Sequence, residues 1–231
     1  MPIAERQSVA AACWSCAAPL VNASAFCDAC GKVQPLVENV DYFAAFGLPR
    51  KLNIDASALE RSFYRLSRKL HPDVYARASA QEQQWSLDQT SLLNDAYRTL
   101  KNPVSRTEYL LKLEGVNIES ERSENGAQKE SRVPADLLEE VFELNMQLEE
   151  MRMNRKMGED DPSLRTDLEK AKTHFDAELA TCDAGLQALW TDWDTAVDAN
   201  TAGVKEKMVT LLDRRRYIRN LVRDVNEALG I

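Results

Sequence analysis

Apolar residues recur at every third or fourth position through most of the chain, which is the spacing of one helix face. Between residues 59 and 70 the apolar stripe comprises Leu59, Phe63, Leu66 and Leu70. The same spacing predicts three longer helices, over about residues 134–157, 162–199 and 204–229. Because Val and Ile are not concentrated in alternating runs and glycines number only eight, the sequence predicts an all-α fold with a C-terminal three-helix bundle.

A polar segment interrupts the helical part of the chain. Between residues 117 and 132 the sequence holds a single large apolar residue, Ile118, so we predict a linker over residues 116–133. The predicted domains are a small cysteine-containing module (1–38), a helical domain (41–115) and the bundle (134–231).

Overall charge limits the classes of partner. The 231-residue chain has a formal net charge of −8 and an isoelectric point near 5.0, so it lacks the excess of Lys and Arg that would neutralise nucleic-acid phosphates. No apolar run approaches the roughly 20 residues that span a bilayer. The first twelve residues lack the pattern of a signal or transit peptide. We therefore expect a cytoplasmic protein with no nucleic-acid partner and no membrane partner.

Four of the five cysteines follow the pattern C-x2-C-x10-C-x2-C: Cys13, Cys16, Cys27 and Cys30. In a reducing compartment this pattern predicts a metal site, because four thiolates can bind one ion that replaces a hydrophobic core. We interpret the metal as structural Zn²⁺, with iron, thiol redox chemistry and free thiols as the alternatives. Trp14 and Phe26 are expected to shield the site. Cys182 lies on an apolar stripe, so we expect it to be buried and inert.

A basic helix face ends at a polar corner, His71-Pro72-Asp73. The cations lie on the side of the helix away from the apolar stripe: Arg61, Arg65, Arg68 and Lys69. A solvated face is the ordinary explanation for such charges. However, Pro72 disfavours helical geometry at His71, and Asp73 can close an Asx turn, so the corner is stiff. No nucleophile or second acid accompanies it, so the corner predicts protein docking rather than catalysis.

The helix predicted from residue 134 carries two apolar stripes. The first, which should face the bundle core, comprises Leu137, Val141, Leu144, Leu148 and Met151. The second lies about 140° around the helix and comprises Leu138, Phe142, Met146 and Met153. It either packs on another helix or on the preceding domain, or it forms a partner-binding groove. In the second case the polar rim would be Glu139, Glu143 and Glu150.

Residues 41–115 resemble the J-domain family through five motifs: F-G-L, L-x-x-x-F-x-x-L, H-P-D, N-D-A-Y-x-T-L and N-P-x-x-R. The resemblance implies an antiparallel helical hairpin that docks on a seventy-kilodalton heat-shock chaperone, of the HscA or DnaK type, and accelerates its ATP hydrolysis. It makes His71, Pro72 and Asp73 the trigger. It assigns electrostatic steering to the cations of the preceding helix: Arg61, Arg65, Arg68 and Lys69. The glycine-phenylalanine-rich stretch common after J domains is absent from this sequence.

Three further segments extend a resemblance to the HscB family over residues 41–229: D-Y-F-A-A-F-G-L-P, S-R-T-E-Y-L-L-K-L-E-G-V and L-L-E-E-V-F-E-L-N-M-Q-L-E-E. Members of that family are J-protein co-chaperones of iron–sulfur cluster assembly, and some carry an N-terminal tetracysteine module. The resemblance implies that the bundle binds a cluster scaffold protein of the IscU type. The implied scaffold-binding residues are Leu138, Glu139, Phe142, Glu143, Met146, Glu150 and Tyr217. Met146 stands where a carboxylate is expected.

Together these features predict a non-enzymatic co-chaperone that activates the chaperone ATPase and delivers the scaffold to it. Two alternatives remain: a general J protein that delivers unfolded clients, and a thiol oxidoreductase that uses the tetracysteine module. For the module itself, docking, homodimerisation and a passive capping role all stay open.

Overall fold

The computed structural model describes residues 12–20, 24–116, 134–196 and 201–231. Over these residues the regular structure is helical, apart from two isolated β-bridges, which confirms the predicted all-α class. The α-helices are α1 (Tyr42–Ala45), α2 (Ala56–Leu70), α3 (Ala80–Lys101), α4 (Pro103–Leu113), α5 (Leu138–Met157), α6 (Pro162–Thr195) and α7 (Thr201–Leu229). Short 3₁₀ turns cover Pro72–Tyr75 and Ala135–Leu137. None of the described helices is long and apolar enough to cross a bilayer.

The chain divides into two compact units, Met1–Leu110 and Leu111–Ile231. The first unit contains the cysteine module together with α1, α2 and α3, so the module belongs to the same unit as the helical hairpin. The predicted linker falls almost wholly outside the described residues.

Helices α2 and α3 form the antiparallel hairpin that the sequence predicts. The carbonyl at the end of α2, on Leu70, accepts a hydrogen bond of 2.6 Å from Ser86 near the start of α3. At the opposite end, Phe63 stacks on Tyr97 with ring centroids 4.1 Å apart. The predicted stripe on α2 is inward-facing, since Leu59 and Leu70 are buried and Phe63 and Leu66 are half-buried.

Local signals set the ends of both helices of the hairpin. Asp55 caps the N-terminal end of α2, because its side chain accepts hydrogen bonds from the amides of Ser57 and Ala58. Ser79 and Glu82 form a reciprocal capping box at the start of α3. The capping box fixes where the segment between the two helices, residues 71–79, ends, and His71-Pro72 ends α2 at its other side; we call this segment the HPD loop.

Helices α5, α6 and α7 form the second unit. Its core includes all five residues predicted for the inner stripe of α5: Leu137, Val141, Leu144, Leu148 and Met151. Cys182 is also in this core and is only 2% exposed, as expected for an inert cysteine. Helix α7 is described from Thr201, three residues before the predicted start, and includes Gly203 in its first turn.

Candidate functional site

The HPD corner is a short, self-contained turn on the surface. Helix α2 ends at Leu70, and His71 adopts an extended ψ of 132°, as expected for a residue before proline. The His71 Nδ1 atom accepts a hydrogen bond of 3.3 Å from the Asp73 amide, and the Val74 amide donates to the His71 carbonyl at 2.9 Å. The turn is therefore closed by His71, not by the Asx turn of Asp73 that the sequence suggested.

Both polar side chains of the corner remain available to a partner. The Asp73 side chain is 91% exposed and the His71 side chain is 58% exposed. The Asp73 Oδ2 atom lies 3.5 Å from His71 Nδ1, so the carboxylate stands beside the imidazole without a strong bond to it. The corner thus presents the Asp73 carboxylate and the His71 imidazole on a turn that two hydrogen bonds stabilise.

The cationic face of α2 is divided in the structure. Arg61, Arg65 and Arg68 are exposed, as predicted. Arg61 has one distant counter-charge, with its Nη2 atom 4.0 Å from Asp55. Lys69 differs, because its Nζ atom lies 5.7 Å from the ring centroid of Phe26 in the cysteine module. Three arginines therefore face solvent along the helix that leads to the corner, while the lysine lies near the module.

The four module cysteines converge on one point. Their Sγ atoms all lie within 4.8 Å of one another. The Cys13–Cys30 and Cys16–Cys27 pairs are each 3.7 Å apart. A tetrahedron with Zn–S bonds of about 2.3 Å has edges of about 3.8 Å, whereas a disulfide requires about 2.0 Å. The sulfurs are therefore spaced for a shared metal ion rather than for disulfide bonds.

The cysteines sit on two similar turns, which we call the first knuckle (residues 12–19) and the second knuckle (residues 26–33). Each is closed by an isolated bridge, Ala12 to Pro19 in the first and Phe26 to Val33 in the second. In each, the first cysteine carbonyl accepts a hydrogen bond from the residue after the second cysteine. That residue has a positive φ in both turns: 60° for Ala17 and 71° for Gly31. Gly31 suits this left-handed position, whereas Ala17 is strained there.

Hydrogen bonds to sulfur distinguish the thiols. Burial raises the pKa of the Cys13 thiol, but hydrogen bonds from the Cys16 and Ser15 amides outweigh it and lower the pKa to about 6. At Cys16 the Ala18 amide lowers the pKa, but the sulfur of Cys30, burial and the other two sulfurs together raise it to about 12. Without a metal the Cys16 thiol therefore keeps its proton at neutral pH, and a bound cation would displace it.

The two aromatic residues of the module are directed toward the helical hairpin. The Trp14 ring lies 5.4 Å from the Trp85 ring of α3, and its Nε1–H donates to the Val33 carbonyl at 2.8 Å. Phe26 packs against the hydrophobic cluster at the end of α2. Sequence reasoning assigned both residues to shielding the metal, and it missed this contact with α3 because nothing in a local pattern identifies a packing partner 71 residues away.

The outer face of α5 is apolar and open to solvent. Phe142 is 69% exposed, and Leu138, Met146 and Met153 are each more than half exposed. The carboxylates predicted as the rim are exposed on the same helix: Glu139, Glu143 and Glu150. Tyr217 is separate from this face, because it lies on α7, half-buried against the bundle core, and burial raises its pKa. The structure thus brings together six of the seven predicted scaffold-binding residues on one helix.

Comparison with known proteins is consistent with this arrangement. Residues 41–109 match the DnaJ domain family. An iron-sulfur cluster co-chaperone protein HscB homolog from Arabidopsis thaliana is 36% identical over 140 residues. That alignment covers 61% of this chain but 52% of the relative, so the chain spans about half the length of the curated relative it matches.

Two solved structures share the fold. The crystal structure of human co-chaperone protein HscB superposes with a TM-score of 0.67 and 24% identity, covering 94% of this chain and 98% of the human one. Chaperone HscB from Vibrio cholerae gives a TM-score of 0.57 and 26% identity, covering 81% of this chain and 96% of its own.

Proposed function

From the DnaJ-domain match and the similarity to HscB proteins, we propose that the chain is an HscB-type J-domain co-chaperone that stimulates the ATPase of a seventy-kilodalton heat-shock chaperone. In the same proposal its bundle delivers an iron–sulfur scaffold protein to that chaperone, in the cytoplasm. The chain acts without catalysing a reaction of its own. The observation that carries the proposal is the exposed HPD corner at the end of a helix whose solvent face carries three exposed arginines and whose other face is buried.

Chaperone docking is supported by the chemistry of the corner. His71 and Asp73 are held in one turn and project from the surface, so little conformational entropy is lost when a partner binds them. The arginines of α2 are positioned to attract an acidic surface and to speed encounter. The proposed chaperone-binding set is His71, Pro72, Asp73, Arg61, Arg65, Arg68 and Lys69.

Scaffold binding is supported by the outer face of α5. An apolar centre rimmed by carboxylates is the composition of a protein interface, and large side chains are rarely left in water together without a partner. The proposed contact set is Leu138, Glu139, Phe142, Glu143, Met146 and Glu150, with Tyr217 as an outlying member.

Structural Zn²⁺ in the cysteine cluster is part of the proposal. The 3.7 Å sulfur pairs fit the edges of a Zn–S tetrahedron, and all four ligands are thiolates in the usual structural arrangement. A closed four-sulfur site leaves no position for a reacting molecule, which argues against a thiol oxidoreductase. Stoichiometric zinc in the purified protein would exclude that alternative.

The test is steady-state ATP hydrolysis by the partner chaperone, with this protein added alone, with the scaffold alone, and with both. Synergistic stimulation by the two together is the expected result, because the chaperone would then receive a specific client and the J-domain trigger at once. Stimulation by this protein to which the scaffold adds nothing would instead support a general J protein. No stimulation under any condition would contradict the chaperone assignment.

A further inference from the structure

Residues 32–34, the end of the second knuckle and the residue after it, lie directly against the hairpin helices; we call them the edge of the module. Val33 is 1% exposed and is buried in a hydrophobic cluster with Leu70 and Leu93. Leu70 is the last residue of α2, so it immediately precedes the HPD loop. Its carbonyl is also held by α3, through hydrogen bonds from Ser86 at 2.6 Å and Thr90 at 3.2 Å. One contact of the edge is therefore made where the HPD loop begins.

A second contact of the same edge is made where the loop ends. The Lys32 Nζ atom lies 2.8 Å from Glu82 Oε1. Glu82 is buried, and its other oxygen closes the capping box with Ser79, the last residue of the loop. The hydrogen bond and charge of Lys32 lower the pKa of Glu82, so the carboxylate is ionised at neutral pH. Lys32 thus holds the side chain that sets the start of α3.

The edge is also joined to the cysteines. The Lys32 carbonyl accepts a hydrogen bond of 2.9 Å from the Cys27 amide. Gln34, which is 2% exposed, donates through Nε2 to Cys13 Sγ at 3.4 Å and to the Lys32 carbonyl at 2.9 Å. Its own carbonyl accepts a hydrogen bond of 3.2 Å from Gln89 of α3. A continuous set of bonds therefore runs from the sulfurs to the hairpin.

We propose that the tetracysteine module is a clamp for the HPD loop, in which the edge formed by Lys32, Val33 and Gln34 fixes both ends of the loop and metal binding by the four cysteines keeps that edge in place. This inference rests on the proposed function of the HPD loop in chaperone activation. It gives the module a positioning role in that activity.

The physical basis is the small size of the module. With no sizeable core of its own, a module of this kind depends on its metal for its fold. Metal loss would release the edge, expose the Leu70–Leu93 contact and leave Glu82 without its cation. The loop would then sample more conformations, and chaperone binding would have to order it again. The concentration for half-maximal stimulation should therefore rise, while the maximal stimulated rate should stay the same.

Hydrogen exchange read by mass spectrometry tests the clamp without the chaperone. The full chain is compared with stoichiometric Zn²⁺ and after chelation, with zinc content measured on each sample. We expect exchange in peptides covering residues 71–82 to accelerate about threefold or more on metal loss, while peptides from α5, α6 and α7 remain unchanged. Equal exchange of the loop peptides in the two samples would overturn the clamp. Faster exchange throughout the chain would also overturn it, since that is general destabilisation.

Substitution of Lys32 tests the same idea with the metal present. Lys32→Met should raise the half-maximal concentration for ATPase stimulation about two- to fivefold, the effect of losing one partly exposed ion pair, with an unchanged maximal rate. Lys32→Arg should retain the wild-type value, and Lys51→Met, at an exposed lysine of the same unit, serves as the matched control.

A shift no larger for Lys32→Met than for Lys51→Met would contradict the clamp, and so would a lowered maximal rate with an unchanged half-maximal concentration. If the zinc-loaded wild-type chain does not stimulate the chaperone at all, the proposed function fails instead. The exchange measurement then decides the clamp by itself.

Discussion

Helices α2 and α5 both direct an apolar face inward, but the faces that they expose to solvent differ in chemistry. Both bury an apolar stripe, and the side of α2 that faces solvent carries arginines, whereas that of α5 carries Leu138, Phe142 and Met146. A cationic face is well solvated and needs no partner. An exposed apolar face is unfavourable in water, so its presence is itself evidence of binding. The proposal of docking on α2 accordingly rests on the adjoining HPD corner. The proposal of docking on α5 rests on the exposed apolar side chains of that helix itself.

The largest effect should come from the corner. His71→Gln should abolish chaperone stimulation, a loss of about 30-fold or more as for an interface hot spot, because it removes an exposed ring that also accepts the hydrogen bond closing the turn. Steady-state ATPase assays measure the loss. The melting temperature should not change, since no core contact is removed. If the variant stimulated the chaperone as well as the wild type does, the HPD corner and α2 would not be a docking surface.

Next in size is the apolar face of α5. Replacing Leu138 and Phe142 together by Ala should weaken scaffold binding about 30-fold, as measured by calorimetry, with a nearly unchanged melting temperature. Leu144→Ala on the opposite face of the same helix is the matched control, because a buried leucine costs about 2–5 kcal/mol of stability when truncated. If the double variant melted as early as the control, the outer face would be a second core face.

A smaller effect is expected from the arginines. Changing Arg61, Arg65 and Arg68 together to Gln should slow association with the chaperone about tenfold at low ionic strength. The difference should vanish near 1 M salt, where the screening length is about 3 Å. Stopped-flow binding measures both rates, and Arg98→Gln on α3 controls for loss of an exposed arginine. A defect that persists at high salt would mean that these residues make close contacts rather than steer.

The smallest effect concerns the turn that precedes α5. Arg214 donates to Asp136 at 2.7 Å and lowers the pKa of that carboxyl. Because the folded pKa lies below the unfolded one, the stabilisation is present at neutral pH and is lost as the pH falls through the acid range. Asp136→Asn should therefore slightly lower the melting temperature at pH 7 and leave it unchanged near pH 2. An equal decrease at both pH values would show that the contribution is not ionic.

Much of the fold and of each candidate site could be predicted from local patterns. Helical periodicity identified the buried side of α5 and its exposed second stripe, because side-chain direction follows from position along a helix. Cysteine spacing likewise indicated the metal cluster. These are properties of residues close together in the sequence.

Contacts between distant segments could not be predicted in this way. The Lys32–Glu82 ion pair joins residues 50 positions apart, and no local motif links the two. The corner shows a finer limit, since both His71 and Asp73 could close the turn, and the choice of His71 depends on backbone angles that the sequence leaves open. Tyr217 illustrates a third limit of sequence reasoning. The resemblance assigns this residue a role in scaffold binding but does not show that its side chain packs on the bundle core.

The burial of Cys182 has a practical consequence for handling the protein. Four of the five thiols would be protected by the metal and the fifth by the bundle core, so a colorimetric thiol reagent should find none in a fully loaded native sample. Because the module depends on its metal for its fold, metal loss should also expose the buried Cys13 and Cys27, so each metal-free molecule should offer four reactive thiols, and denaturation should add the fifth. The ratio of thiols that react in the native sample to thiols that react after denaturation therefore measures metal occupancy, with Cys182 as its internal standard.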